Sequence, residues 1–262
     1  MNLAGQKVAI LGAGRSGRAA ARLALRQGGE ATLYDTSGSS VFEDVLEGVN
    51  CHPDATVETG RRCRADLVVI SPGIETEGRF ARAFAEGAGE FIGEIEFAAR
   101  HYEGMVVGIT GTNGKTTTTE LIEHMMSVGG VTCSACGNHG RPLADVVLGS
   151  DPPRAVSLEL SSFQLESISN FRPDVAVWLN FSPDHMDRYR NVEQYHSAKR
   201  RIFENQDGND TAVVRLGQDV GVLRASRVSF SATENGGDYE LQGTAVVSGG
   251  EAVLDLRGTQ LR

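Results

Sequence analysis

A chain of 262 residues with 40% hydrophobic content has enough apolar side chains for a substantial core in one or two domains. Its net charge of −9 excludes an extended nucleic-acid or membrane-surface footprint, which would need a basic face, so any anion site must be local. No run of about 18 apolar residues occurs, and the N-terminus enters Lys7-Val8-Ala9-Ile10-Leu11 without a charged n-region and cleavage site, as expected of a cytoplasmic protein that neither spans nor binds membranes.

Taken in order, residues 7–11 read as a strand and Gly12-Ala13-Gly14-Arg15-Ser16-Gly17 as a tight turn. An alanine-rich helix then runs to about Arg26, and Ala31-Thr32-Leu33-Tyr34 forms a strand ending at Asp35. This GxGxxG, with an acid about twenty positions on, brings a helix N-terminus to an anionic ligand and offers Asp35 to ribose hydroxyls. NAD, FAD or a UDP-sugar would each satisfy it. Asp66-Leu67-Val68-Val69-Ile70 is a further strand, delivering Ser71-Pro72-Gly73-Ile74 to the carboxyl edge where open α/β sheets bind ligands. A helix around Phe80 to Glu86 and the apolar-acidic segment Phe91 to Ala99 follow, with the glycine-rich stretch between them as a domain boundary. The alternation of strand and helix implies a doubly wound sheet.

The next stretch, Val106-Val107-Gly108-Ile109-Thr110-Gly111-Thr112-Asn113-Gly114-Lys115-Thr116-Thr117, is an apolar strand, a glycine turn and a helix start, the arrangement of a phosphate cradle. Turn N–H groups and the helix dipole attract anionic oxygens, Lys115 adds a point charge, and the Thr116 hydroxyl can ligate Mg²⁺. The usual P-loop spacing would place glycine at 109, where this chain has Ile109. The helix is expected to stop at Gly129-Gly130. Cys133 and Cys136 form a CxxC with His139 three further on, but no second CxxC exists and Cys51 and Cys63 are remote, so small buried thiols are the simpler reading.

Glu159 falls inside the apolar strand Ala155 to Leu160, where a carboxylate is costly unless paired or metal-bound, and a strand-end acid beside a phosphate loop suits a metal. The apolar strand Val175 to Leu179 delivers Asn180 and, shortly after, Asp184, His185 and Asp187, so His185 is a further metal-ligand candidate. A helix from about Asn191 to Asn205 follows, its apolar face made of Val192, Tyr195, Ile202 and Phe203, with Lys199 interrupting the stripe. The chain's lysines are Lys7, Lys115 and Lys199, all other basic residues being arginine, which suggests that lysine stands where guanidinium would not serve. A desolvated amine at 199 can lose its proton and add CO₂, and the resulting carbamate would act as a carboxylate-like ligand; snorkelling to solvent is the simpler alternative. From Thr211 the pattern is β, with strands at Thr211 to Arg215, Arg227 to Ser231, Tyr239 to Val247 and Glu251 to Arg257, before the sequence ends at Leu261-Arg262.

In combination, Gly108 to Thr117, Glu159-Leu-Ser-Ser-Phe-Gln-Leu165, Asn180-Phe-Ser-Pro-Asp-His185 with Met186 to Tyr189, and Ala198-Lys199 resemble the Mur ligase family, the ATP-dependent amide-bond ligases of peptidoglycan precursor synthesis. Within it, Gly12 to Gly17, Tyr34-Asp35-Thr36 and Ser71 to Ile74 are most similar to the branch that adds D-glutamate to UDP-N-acetylmuramoyl-L-alanine. The resemblance implies an α/β chain with an N-terminal Rossmann-like UDP-substrate domain over 1–95, followed by a P-loop-type ATP-binding domain over 96–262 with a C-terminal β extension. It implies that Gly111, Thr112, Asn113, Gly114, Lys115, Thr116 and Thr117 bind ATP. Gly14, Arg15, Ser16, Asp35, Thr36, Ser71, Gly73, Asn138, Ser161 and Gln164 are the corresponding substrate contacts. Two Mg²⁺ ions are expected, the first on Thr116 and Glu159, the second on His185 and carbamylated Lys199, and Lys115, Lys199, His185 and Glu159 carry the catalytic roles. His139 stands where the family more usually has an aliphatic residue. The protein is expected to work as a monomer, and the family's further segments and amino-acid-binding third domain do not match any part of residues 1–262, so these residues alone are expected not to form the amide. Alternatives are another Mur or folylpolyglutamate-type ligase, a non-catalytic nucleotide-binding remnant, and a NAD-dependent dehydrogenase.

Overall fold

A computed structural model describes residues 2–43 and 47–257; Leu261 and Arg262 lie outside the described residues. β1 (Lys7–Leu11), α1 (Arg15–Arg26), β2 (Glu30–Tyr34), β3 (Asn50–His52), α2 (Val57–Arg62), β4 (Ala65–Ile70), α3 (Arg79–Ala85) and β5 (Ala88–Gly93) make a first layered unit. Its strands are all parallel in the order β3-β2-β1-β4-β5. β1 and β4 read as near-continuous apolar runs because helices cover both faces of such a sheet. The alanines of α1 let it lie close to the sheet, and Gly17 is required there: a Cβ would fall 1.8 Å from the Gly12 carbonyl oxygen. Order reverses at β1, so the crevice for a ligand opens at the ends of β1 and β4, above Gly12 and Ser71.

The glycine-rich residues 87–90, read from sequence as a boundary, lead instead from α3 into the first half of β5, which pairs with β4 inside this same sheet. α4 (Glu94–Ala99) then leads to the second sheet. It comprises β6 (Met105–Thr110), α5 (Lys115–Val128), β7 (Cys133–Gly137), α6 (Leu143–Val147), β8 (Ala155–Glu159), α7 (Ser162–Leu165), β9 (Val175–Trp178), α8 (Val192–Arg200), β10 (Thr211–Arg215), β11 (Ser226–Ser231), β12 (Tyr239–Gln242), β13 (Ala245–Ser248) and β14 (Glu251–Asp255). The strand order is β14-β13-β12-β11-β10-β9-β6-β8-β7, parallel from β7 to β12 and antiparallel across β12, β13 and β14.

β3, α2 and α6 have no counterpart in the sequence reading, and three further elements differ from it. β7 crosses the CxxC, whose small polar residues carry no strand pattern; Cys136 is buried, and burial pushes its thiol far up, so it stays protonated. Tyr239 to Val247 is two strands, because Gly243 takes a positive φ and turns the chain into a hairpin. The expected helix to Asn205 ends at Arg200, continuing as a 3₁₀ turn over Arg201–Phe203 that keeps Ile202 and Phe203 in the core. The α/β architecture itself, with a doubly wound sheet and a β extension, is as expected. The two sheets meet through α1, α4 and α6, where Arg22 pairs with Asp145 at 2.7 Å and a single apolar cluster runs from Leu23 and Ile95 to Leu143 and Val156.

Candidate functional site

In the second sheet the order reverses at β6, which lies between β8 and β9, and the loop after β6 opens at that switch point. Gly114 caps α5 in the left-handed conformation, leaving the first N–H groups of the helix turned toward the crevice. Asn180, at the end of β9, holds the loop in shape. Its Oδ1 accepts from the N–H groups of Thr112 (3.1 Å) and Asn113 (2.9 Å), and its Nδ2 donates to the Asn113 carbonyl at 3.0 Å.

Glu159 ends β8 directly beside this loop and is only 3% exposed. Thr116 Oγ1 donates to its Oε2 at 2.7 Å and Asn138 Nδ2 to its Oε1 at 2.8 Å. Both carboxylate oxygens are therefore met by neutral donors, and no ion pair reaches Glu159 among the described residues. A buried anion so placed is under-compensated, which fits a divalent cation held by the Thr116 hydroxyl and the Glu159 carboxylate. Asn138 turns out to be tied to Glu159 by backbone as well as side chain, its N–H donating to the Glu159 carbonyl at 2.9 Å.

Lys199 does not snorkel. It is 2% exposed, and its Nζ donates to the Gly111 carbonyl at 2.9 Å, the same oxygen that Lys115 Nζ reaches at 3.0 Å. Lys115 also donates to the Thr112 carbonyl at 3.0 Å. Burial first, and then the neighbouring Lys115 charge, lower the Lys199 ammonium from its ordinary value to about 7, so a large fraction of it is a neutral amine near neutral pH. The Tyr195 ring lies 4.9 Å from Lys199 Nζ, meets the His185 ring at 5.9 Å between centroids, and brings its hydroxyl within 3.5 Å of Thr112 Oγ1. His185 itself is half exposed, in a positive-φ conformation, packed on Phe163 at 5.1 Å with Asp184 3.7 Å from its Nε2. Among the described residues no group of three or more His, Cys, Asp and Glu side chains gathers tightly enough to hold a metal, so His185 and Glu159 do not share one protein-only cage.

At the first sheet, Ala13, Gly14, Arg15, Arg18 and Arg22 line a cleft of 430 Å³ at the start of α1. Asp35 accepts from the N–H groups of Ala13 (2.7 Å) and Ser37 (2.9 Å). Burial works to raise its carboxyl, but these backbone donors and Thr36 outweigh it and hold it below the usual range. Ser71 Oγ is buried without a hydrogen-bond partner among the described residues, and Gly73 faces open space. Ser161 and Gln164 are occupied by each other in a capping box, with Ser161 N and Oγ both donating to Gln164 Oε1 at 2.9 Å. Sequence reasoning missed Tyr195 as a contact of Lys199, His185 and Thr112, because it read as one more apolar residue of its helix. It also passed over the buried acids Glu94 and Glu96, whose signal was their place in an apolar run.

A family model for the Mur ligase middle domain matches residues 109–245. A UDP-N-acetylmuramoylalanine–D-glutamate ligase of Geobacter metallireducens is 39% identical over 238 residues, covering 87% of this chain and 52% of the relative. One from Geobacter sp. strain M21 is 34% identical over 100% of this chain and 59% of the relative. The chain spans about half the length of the curated relatives it matches. Among solved structures, the UDP-N-acetylmuramate:L-alanyl-γ-D-glutamyl-meso-diaminopimelate ligase of Neisseria meningitides aligns over 95% of this chain and 86% of its own with a TM-score of 0.62 at 16% identity. The UDP-N-acetylmuramate–alanine ligase of Thermotoga maritima aligns over 95% and 60% with a TM-score of 0.55 at 20% identity. These two likenesses are likenesses of fold.

Proposed function

The chain belongs to the Mur ligase family, and from that premise we propose that it is the nucleotide- and UDP-substrate-binding part of an ATP-dependent ligase that adds D-glutamate to UDP-N-acetylmuramoyl-L-alanine. The observation that carries this reading is the contact between the phosphate loop and the buried strand-end acid, Thr116 Oγ1 to Glu159 Oε2 at 2.7 Å, with Asn138 closing the other carboxylate oxygen. Residues 1–95 hold the UDP moiety, with the diphosphate against Gly14, Arg15 and Ser16 and the nucleoside near Asp35, Thr36, Ser71 and Gly73. Residues 96–262 hold ATP on the loop Gly111 to Thr117.

In the reaction, an oxygen of the substrate carboxylate attacks the γ-phosphorus, ADP leaves, and the resulting acyl phosphate is attacked at its carbonyl carbon by the amino group of D-glutamate, releasing phosphate. Mg²⁺, held by Thr116 and Glu159, would neutralise phosphate charge and polarise the transferred group. Lys115 exchanges its two loop carbonyls for the β- and γ-phosphate oxygens, and Asn180 keeps the loop N–H groups aimed at them. Lys199, neutral in part and shielded by Tyr195, is the amine that would add CO₂ with loss of a proton to give a carbamate, which together with His185 would hold a second cation. Ser161 and Gln164, at the start of α7 just after β8, are the remaining substrate contacts of this reading.

Calorimetry on residues 1–262 tests the reading. Mg·AMP-PNP and UDP-N-acetylmuramoyl-L-alanine are each expected to bind, NAD(H) is not, and D-glutamate-dependent phosphate release is not. Failure of both ligands to bind, or binding of NADH in the first crevice, would overturn it.

A further inference from the structure

Glu96 is a charged side chain that the proposed reaction does not use, yet it is 1% exposed and fully engaged. Its Oε2 accepts three consecutive backbone N–H groups, from Ser169 (2.9 Å), Asn170 (3.0 Å) and Phe171 (2.7 Å). Its Oε1 accepts from Arg100 Nε at 2.8 Å, and Arg100 in turn forks onto both carboxylate oxygens of Glu90 at 2.8 Å. Next to this, Gly93 N donates to the Ser167 carbonyl at 2.8 Å, in an approach so close that a Cβ on Gly93 would lie 2.2 Å from Ser167 Oγ.

The segment 166–171 gripped in this way has a second set of partners. Arg201 donates to the carbonyls of Glu166 and Ile168, and Asn205 Nδ2 to those of Ser169 (2.9 Å) and Phe171 (3.0 Å). Three backbone donors of the segment thus go to an anion on α4, four of its carbonyls go to donors just beyond α8, and the Ser167 carbonyl goes to Gly93 at the end of β5. α4 follows β5 of the first sheet directly; α7, with Ser161 and Gln164, immediately precedes the segment; α8 carries Lys199. Three elements that serve different parts of the site are pinned to one short stretch of chain.

We propose that Glu96 is a positioning residue that keeps the ligand crevice of the first sheet in register with the phosphate loop, by clamping residues 166–171 between α4 and α8. Carboxylate is required for this. A glutamine there would turn its NH₂ either toward the Arg100 donor or toward the three backbone N–H groups, and either orientation sets donor against donor. The clamp itself rests on geometry alone; its effect on substrate rests on the function proposed above.

Two measurements on Glu96→Gln and Glu96→Ala separate these. Spin labels at Arg61→Cys and Asp151→Cys, in a background with the native cysteines replaced, report the distance between the two sheets without any ligand. A narrow distribution in the parent that broadens about twofold or more in both variants is expected, as hinge freedom implies; an unchanged width overturns the clamp. Calorimetry then compares UDP and Mg·AMP-PNP, which each touch one sheet, with UDP-N-acetylmuramoyl-L-alanine, which spans both. The first two are expected to keep their affinities within about twofold while the spanning ligand loses about tenfold. Equal losses for all three would mean a merely structural role and overturn the positioning role. A parent chain that fails to bind the spanning ligand refutes the functional reading, while the label distances still decide the clamp.

Discussion

Replacing Glu94 by glutamine should change how stability depends on pH, and the structure sets the size of the effect. Glu94 opens α4 at the junction of the two sheets, is 2% exposed, and has an Oε1 without a hydrogen-bond partner among the described residues. Burial, and next the Asp145 charge from α6, raise its carboxyl from 4.5 to about 8. The Cys136 thiol on β7 also interacts with it, while Arg22 of α1 is paired with Asp145 and Arg141 donates to the Asp145 carbonyl. Because the folded value is raised, the folded chain keeps a proton that the unfolded chain releases, so this group's contribution is full below 4.5 and declines as pH rises toward 8. Each pH unit in that window costs about 1.4 kcal/mol, so between pH 5 and pH 8 the loss is about 3 to 4 kcal/mol. Glutamine mimics the protonated acid and does not titrate. Urea unfolding followed by fluorescence of Trp178, the single and fully buried tryptophan, at pH 5, 6, 7 and 8 should show the variant gaining on the parent steadily by that amount. A stability difference that stays constant across the four pH values would refute the reasoning.

Lys199→Met should act with the opposite sign. The Lys199 amine falls from 10.5 to about 7 on folding, so the unfolded chain binds the extra proton and stability rises with pH between those values, by up to about 5 kcal/mol; the variant should lose that rise, and parallel unfolding curves at pH 7 and 10 would count against it. Thr116→Val removes the donor to buried Glu159 and should cost about 1–3 kcal/mol of stability while weakening Mg²⁺-dependent AMP-PNP binding at least about tenfold; binding that is equally tight with and without Mg²⁺ in both proteins would exclude the assigned cation site. Gly17→Ala places a methyl 1.8 Å from the Gly12 carbonyl, so the turn must open, with a loss of about 1–3 kcal/mol and of UDP binding; a variant that melts with the parent and binds UDP normally would show that the turn has room.

Local chemistry was legible from sequence where the residues that cooperate are neighbours. The phosphate loop, the glycine turn before α1 and the start of α8 at Asn191, whose side chain accepts from Gln194 N at 2.9 Å, each depend on residues within a few positions. Single misfits were legible too: Glu159 in an apolar strand and Lys199 in an apolar stripe stand out because a buried charge needs a reason. β7 was not legible, since Cys133 to Gly137 has neither alternation nor β-branched residues, and its strand conformation comes from pairing with β8.

The family resemblance, the α/β class and the residue types of the site were determined by the sequence alone, because spacing along a strand, turn or helix dictates which groups a short segment presents. Which groups meet was decided by tertiary structure. Thr116 and Glu159 lie 43 positions apart and Lys199 and Gly111 lie 88 apart; they touch because the sheet places β8 and β9 on either side of β6. The lowered Lys199 amine, the raised Glu94 carboxyl and the Glu96 clamp follow from that order as well, since desolvation and charge proximity depend on the partners that the fold assembles, and no local pattern in the chain specifies them.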